Sequence, residues 1–250
     1  MTAALETRRL MRRFGGLVAT NDVSLTVAAG ARHALIGPNG AGKTTLINLV
    51  TGVIAPTSGT VRFRGADLAG TPQHRFAHLG ISRSYQITNI FPELSAHENV
   101  RVAAQAFRSR YDILTRRARL TELDEKAAAA LDAVGLAARG SATAKFLAHG
   151  EQRALEIAIA LVADPALLLL DEPTAGMGPE ETRGMVSLIE RLARERTILL
   201  VEHKMKMILG LSDRILVLHH GRLIADGTPA AIQADTEVRR VYLGQNDGYA

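Results

Sequence analysis

The stretch GPNGAGKTT, Gly37 to Thr45, constrains this chain more than any other part of it. It satisfies G-x-x-x-x-G-K-[ST] through Gly37, Gly42, Lys43 and Thr44. The apolar run ARHALIG leads into it, and a helical pattern from Lys43 to Val50 leads out. Strand, glycine loop and helix in that order define a phosphate-binding loop, and such a loop demands an α/β core. Glycines allow successive backbone N–H groups to face an anion with no Cβ in the way. Gly37, Pro38, Asn39, Gly40, Ala41 and Gly42 therefore form the nucleotide-contacting backbone, continued by Lys43, Thr44 and Thr45. Lys43 brings positive charge to the β- and γ-phosphates, and the Thr44 hydroxyl is suited to ligate a Mg²⁺ that bridges them. The ligand implied is ATP or GTP.

A second motif completes the chemistry. LLLLDEPTAG, Leu167 to Gly176, is an apolar run that ends in two acids. Asp171, at the end of a buried strand, suits the holding of Mg²⁺ through water. Glu172 follows directly, so its side chain points elsewhere, where it can accept a proton from an attacking water. An acid in that place favours water as nucleophile, hence hydrolysis; a kinase would need an acceptor hydroxyl there.

Around these motifs the texture alternates. VSLTV and ARHALIG read as strands split by the turn AAG, and TSGTVRFRG as a turn and strand. From about Ile87 to Leu161 alanine, leucine and arginine dominate and the pattern is helical. Strand texture returns in ALLLLD, TILLVEH and RILVLHHG, and TPAAIQADTEVRRVYLG reads as a helical tail. The unbroken LLLL suggests a strand covered on both faces, as in a parallel sheet. The expected fold is α/β: a P-loop NTPase core with a parallel-type sheet, an antiparallel β edge and an inserted α-helical subdomain. Its expected parts are a core at about 1–86 and 162–226, helices at about 87–161, and a tail at about 227–250. The chain has 250 residues and 47% hydrophobic composition, enough for one large domain with an insertion.

Composition removes several function classes. There is no cysteine, so neither a disulfide framework nor thiolate chemistry is expected. The arginines of MTAALETRRLMRRF precede no apolar segment, so no secretory signal is expected. The most apolar stretch is interrupted by Asp164 and Pro165 and falls short of the roughly 20 residues of a membrane span. The chain is expected to be soluble, or peripheral through a partner. Its net charge of +5 is spread over scattered arginines without aromatic interleaving, so no nucleic-acid partner is expected.

One stretch remains. LAHGEQRALEIA, Leu147 to Ala158, is a second helix start of the anion-binding kind, more than a hundred residues beyond the first. With it the motifs resemble those of the ATP-binding subunit of an ABC transporter, over nearly the whole chain. LAHGEQ stands where that family has L-S-G-G-Q, SYQI places Gln86 at its Q-loop, VEHKM places His203 at its switch histidine, and RRFGG places Phe14 at its adenine-stacking aromatic. The resemblance implies that Gln86 touches Mg²⁺ or the attacking water, and that His203 bonds the γ-phosphate and holds the water near Glu172. It implies further that Ala148, His149, Gly150 and Glu151 cap the γ-phosphate of ATP held by an opposing subunit. Two departures stand out. Ala148 and His149 replace a serine and a glycine, so the contact should rest on backbone N–H groups. AGMG, Ala175 to Gly178, lacks the aspartate of the family's D-loop.

Within that family the chain is most similar to the branched-chain amino acid uptake group. RFGGLVATNDVSLTV, AGMGPEET and the ending from VEHKMKMILG to VRRVYLG carry the similarity. It implies an ATPase that works with two membrane permease subunits, with a second ATP-binding subunit in a homo- or heterodimer, and indirectly with an extracytoplasmic solute-binding protein. The implied location is peripheral, on the cytoplasmic face of the inner membrane. A related importer for urea, amides or small acids, or a lipid or lipopolysaccharide exporter, is the alternative. A DNA- or ribosome-directed ABC ATPase would carry two sets of motifs or a long heptad run, and this chain has neither.

Overall fold

The chain opens with two long antiparallel strands, β1 (Ala3–Phe14) and β2 (Leu17–Ala28), joined at Gly15 and Gly16. Gly15 lies at φ 58, the left-handed backbone that a two-residue hairpin turn requires. The expected VSLTV strand lies in β2, but β1 is an element that periodicity misses. Its buried Leu5 and Thr7 obey a period of two, and the next buried residue is Leu10. Between Thr7 and Leu10 the register slips, with Arg9 at φ 46. A bulge of this kind adds a residue to one strand and breaks the alternation by which a strand is recognised.

The computed structural model describes residues 2–84, 90–107 and 121–243. In chain order the further elements are β3 (Arg32–Ile36), α1 (Lys43–Val50), β4 (Ser58–Phe63), β5 (Ala66–Asp67), α2 (Phe76–Leu79) and β6 (Ile81–Ser84). Then follow α3 (Ala96–Gln105), α4 (Thr121–Ala133), α5 (His149–Leu161), β7 (Leu167–Asp171), α6 (Pro179–Leu192) and β8 (Thr197–Val201). After these come α7 (Met205–Leu211), β9 (Arg214–His219), β10 (Arg222–Gly227), α8 (Pro229–Ala234) and α9 (Thr236–Val238). It divides into two compact units, Met1–Phe76 with Ala193–Ala250, and Ala77–Leu192.

In the first unit β2, β1, β4 and β5 form an antiparallel sheet in that order. β3 lies between β8 and β9 and parallel to both, and β10 returns antiparallel along β9. Every position of β8 is buried. α7 and the helical tail cover these strands: Ile208 from α7, with Ile232 and Val238 from the tail, packs with Ala34, Ile36, Ile215 and Val217. α8 starts at the capping residue Thr228, whose Oγ1 accepts from the Ala231 N–H, and Pro229 fills the first helical position. Asp213, just before β9, accepts from the Arg32 backbone N–H at 2.8 Å and from its Nη2 at 2.6 Å. Those bonds to Arg32 hold the Asp213 carboxyl below its ordinary range.

In the second unit β6 and β7 pair in parallel, from Ile81 opposite Leu167 to Ser84 opposite Leu170. All of β7 is buried, as an uninterrupted LLLL implies. α3, α4 and α5 pack together, and α5 also meets β6 and α6. Ser95 caps α3 by accepting the Glu98 N–H at 3.1 Å. The helical texture of the sequence begins near Ile87 and fades near Leu161. The compact unit runs from Ala77 to Leu192 because β6 and α6 pack with α5, and β7 pairs with β6. Among the described residues no helix is long and apolar enough to cross a membrane.

Candidate functional site

Gly37 follows β3 at φ 156, and a Cβ there would strike the carbonyl oxygen of Leu218 on β9. Gly42, at φ 101, is closed in the same way by the carbonyl of Ala19 on β2. Two of the motif's glycines are thus required twice over, by backbone angle and by space. Between them the Ala41 N–H donates to Pro38 O at 3.1 Å, and the Gly221 N–H donates to Ala41 O at 2.9 Å, which fastens the loop to the turn after β9. Lys43 is 8% exposed, and its Nζ donates to Gly37 O at 2.7 Å and to Pro38 O at 3.1 Å, so the cation is folded over the loop it belongs to. α1 begins at Gly42 with no side-chain cap and no acid in its first turn. An anion is the natural complement of such a helix start. Asn39, Gly40 and Thr44 are exposed, and Thr45 is half-buried.

The acidic motif lies in the second unit. Asp171 ends β7, buried, and Arg83 Nη2 donates to its Oδ2 at 2.7 Å. The pair is 8% and 7% exposed at the side chains. Nothing in the sequence reading singles out Arg83. The available signal is register: Arg83 stands opposite Leu169, so its long side chain has to reach two positions along β7 to meet Asp171. Removing one partner of a buried pair strands the other charge. Arg83→Met is therefore expected to cost about 3–5 kcal/mol of stability. A urea unfolding midpoint that stays in place would contradict this. Glu172 follows Asp171 at φ 50, a left-handed conformation unusual for a residue with a long side chain. The chain turns sharply there, so the two acids point in different directions, and the strain it stores is of the kind that collects at working sites.

The second helix start proves more occupied than its sequence implies. Ala148 precedes α5 in extended conformation and offers no capping oxygen. Glu151 reaches back instead, its Oε2 accepting the Ala148 N–H at 2.9 Å. The Gly150 N–H donates to Glu181 Oε1 at 3.1 Å, and Glu181 Oε2 accepts the Gly178 N–H at 3.1 Å. Those two backbone bonds, Gly178 first, hold the Glu181 carboxyl below its ordinary range. His149 Nε2 stands 3.1 Å from Ala175 O, which ties α5 to the segment after Glu172. A serine at position 148 would complete the reciprocal cap with Glu151. Ala148→Ser is expected to add about 1 kcal/mol and to leave ATP turnover in place; a lower melting temperature would count against this geometry.

The remaining predicted residues are more widely distributed. Phe14 ends β1, 45% exposed, with the Arg12 guanidinium 4.6 Å above its ring centroid. His203 is exposed after β8, and its N–H donates to the side chain of buried Glu202 at 3.1 Å. Gln86 lies outside the described residues. Phe14, the loop from Gly37 to Thr45 and His203 belong to the first unit. Asp171, Glu172 and the 148–151 segment belong to the second. Arg83 and Glu181 in the second unit, and Glu202 in the first, make polar contacts that the motifs do not announce.

Comparison with known proteins matches residues 20–175 to the ABC transporter family, and residues 222–248 to a family described as branched-chain amino acid ATP-binding cassette transporter. The high-affinity branched-chain amino acid transport ATP-binding protein LivG of Salmonella typhimurium is 43% identical over 245 residues, or 94% of this chain and 96% of that protein. Its counterpart BraF of Pseudomonas aeruginosa is 40% identical, over 96% of this chain and 98% of its own. Among solved structures, MJ1267, an ATP-binding cassette of an ABC transporter, in its ADP conformation has a TM-score of 0.86 at 28% identity, covering 98% of this chain and 100% of that one. A nucleotide-free ATP-binding cassette from an ABC transporter has a TM-score of 0.85 at 27% identity, covering 96% and 98%.

Proposed function

This chain belongs to the ABC transporter ATP-binding family, and from that premise we propose that it is the ATP-hydrolysing subunit of an importer for branched-chain or other hydrophobic amino acids. The single observation that carries the reading is the glycine loop. Gly37 and Gly42 have no room for a side chain, Lys43 is folded over the loop, and α1 opens without a cap. Similarity to amino-acid transport ATPases at 40–43% identity over nearly the full length supports the solute class.

In this reading the loop from Gly37 to Thr45 holds the phosphates of ATP, and Phe14 stacks on the adenine. The Thr44 hydroxyl and the Asp171 carboxylate are hard oxygen donors of the type Mg²⁺ prefers, with Gln86 as a further candidate. When bound, the ion neutralises charge between the β- and γ-phosphates. Glu172 accepts the proton of the attacking water as its oxygen bonds to the γ-phosphorus. The bond from that phosphorus to the bridging oxygen breaks, and ADP leaves. His203 bonds the γ-phosphate and orients the water. ATP binds the closed pair of subunits better than the open pair, so binding closes it and hydrolysis reopens it.

The partners that follow are a second ATP-binding subunit, identical or related, two membrane permease subunits and, indirectly, an extracytoplasmic binding protein. The chain works peripherally at the cytoplasmic face of the inner membrane. Phe91 and Phe146 support a membrane-subunit contact: they are 56% and 72% exposed, on segments joined by the Lys145 N–H to Pro92 O bond. The test is purification of the chain from native membranes in mild detergent. Permease subunits are expected in the eluate, and thermal shifts of the cognate binding protein with leucine, isoleucine and valine then name the solute. A chain that elutes with no membrane protein would refute the proposal.

A further inference from the structure

We infer that Glu181 is a built-in stand-in for the γ-phosphate at the start of α5, and that two chains close on ATP only when this carboxylate gives up Gly150. The inference rests on the reading above, in which the 148–151 segment of one chain caps ATP held by the other. The geometry that carries it is local to the second unit. Glu181 Oε1 accepts the Gly150 N–H and Oε2 the Gly178 N–H, each at 3.1 Å. One carboxylate thereby bridges the helix start and the segment that follows Glu172.

Glycine eases the approach. A Cβ at Gly150 would lie 3.1 Å from Glu181 Oε1, tighter than ordinary contact. The other ways of holding a phosphate there are reduced. Ala148 has no hydroxyl, and its N–H already donates to Glu151. His149 is turned toward Ala175 O at 3.1 Å. The Gly150 N–H is one of the backbone donors a phosphate contact would use, and it is engaged by an anion of the same chain. Its two backbone bonds hold that carboxyl below its ordinary range, and an ordinary carboxyl is already ionised at neutral pH. An ionised carboxylate and a phosphate oxygen cannot share one donor at contact distance without strong repulsion. A phosphate oxygen takes the Gly150 N–H only if Glu181 leaves it. The consequence is a threshold: ATP must displace an internal competitor before the pair closes, which holds back futile closure of chains not pressed together by their membrane partners.

The experiment uses the full chain carrying Glu172→Gln, so that ATP is bound but not consumed. ATP-dependent dimer formation is followed by sedimentation velocity, alone and with Glu181→Ala or Glu181→Gln added. Glu181→Ala is expected to lower the ATP concentration for half-maximal dimerisation about tenfold, the order of effect of one charge-assisted hydrogen bond. Glu181→Gln, which keeps an acceptor but not the charge, is expected to fall between the two and serves if the alanine chain folds poorly. A requirement for equal or more ATP in both variants would overturn the inference and make Glu181 a support that holds Gly150 in place for the phosphate. Absence of an ATP-dependent dimer in every chain, the Glu172→Gln parent included, would overturn the dimer-capping reading and this inference with it.

Discussion

Glu172→Gln is expected to slow ATP hydrolysis by about 10²–10⁴-fold, the range that one positioned general base supplies, while ATP binding persists. Glutamine has nearly the shape of glutamate and makes similar hydrogen bonds, but it cannot take up the proton of the attacking water. The backbone at this position lies at φ 50, and the substitution leaves that demand as it was. Binding without turnover should let the ATP-bound dimer accumulate. Phosphate release and gel filtration in the presence of ATP read the two effects separately. Turnover at the native rate would remove Glu172 from the role of base, and loss of binding would show that it holds nucleotide instead.

Lys43→Ala is expected to weaken ATP binding by about 10- to 100-fold, since hydrogen bonds to charged groups contribute about 1.5–3 kcal/mol each. The lysine has two tasks. Its Nζ donates to Gly37 O at 2.7 Å and Pro38 O at 3.1 Å, which holds the loop in shape, and it carries the charge that the phosphates meet. Alanine removes both together, and no cation in the first turn of α1 replaces it. Isothermal titration with ATP is the direct measurement, and an unchanged affinity would count against the loop as the phosphate site.

Legibility in the sequence tracks how local each feature is. The loop from Gly37 to Thr45 and the helix from Lys43 to Val50 are legible because glycine, lysine and threonine at set spacing within nine residues mark a phosphate loop followed by a helix. β7 and β8 are legible because strands buried at every position leave an unbroken apolar run. β1 is not, because the bulge at Arg9 moves its inward residues out of phase. Arg83 is not, because its partner Asp171 is 88 residues away and reaches it only through the pairing of β6 with β7.

The start of α5 marks the dividing line. The sequence by itself determined that a helix starts near Gly150, that this glycine admits close approach, and that backbone donors gather there, because each of these follows from residue type and near neighbours. Only the tertiary structure decided what answers the Gly150 donor. Glu181 lies 31 residues further on, and no periodicity or capping rule operates over that distance. Packing of α6 beside α5 brings its carboxylate to the amide. A buried or half-buried donor takes the acceptor that the fold places within reach, and the local sequence does not choose it.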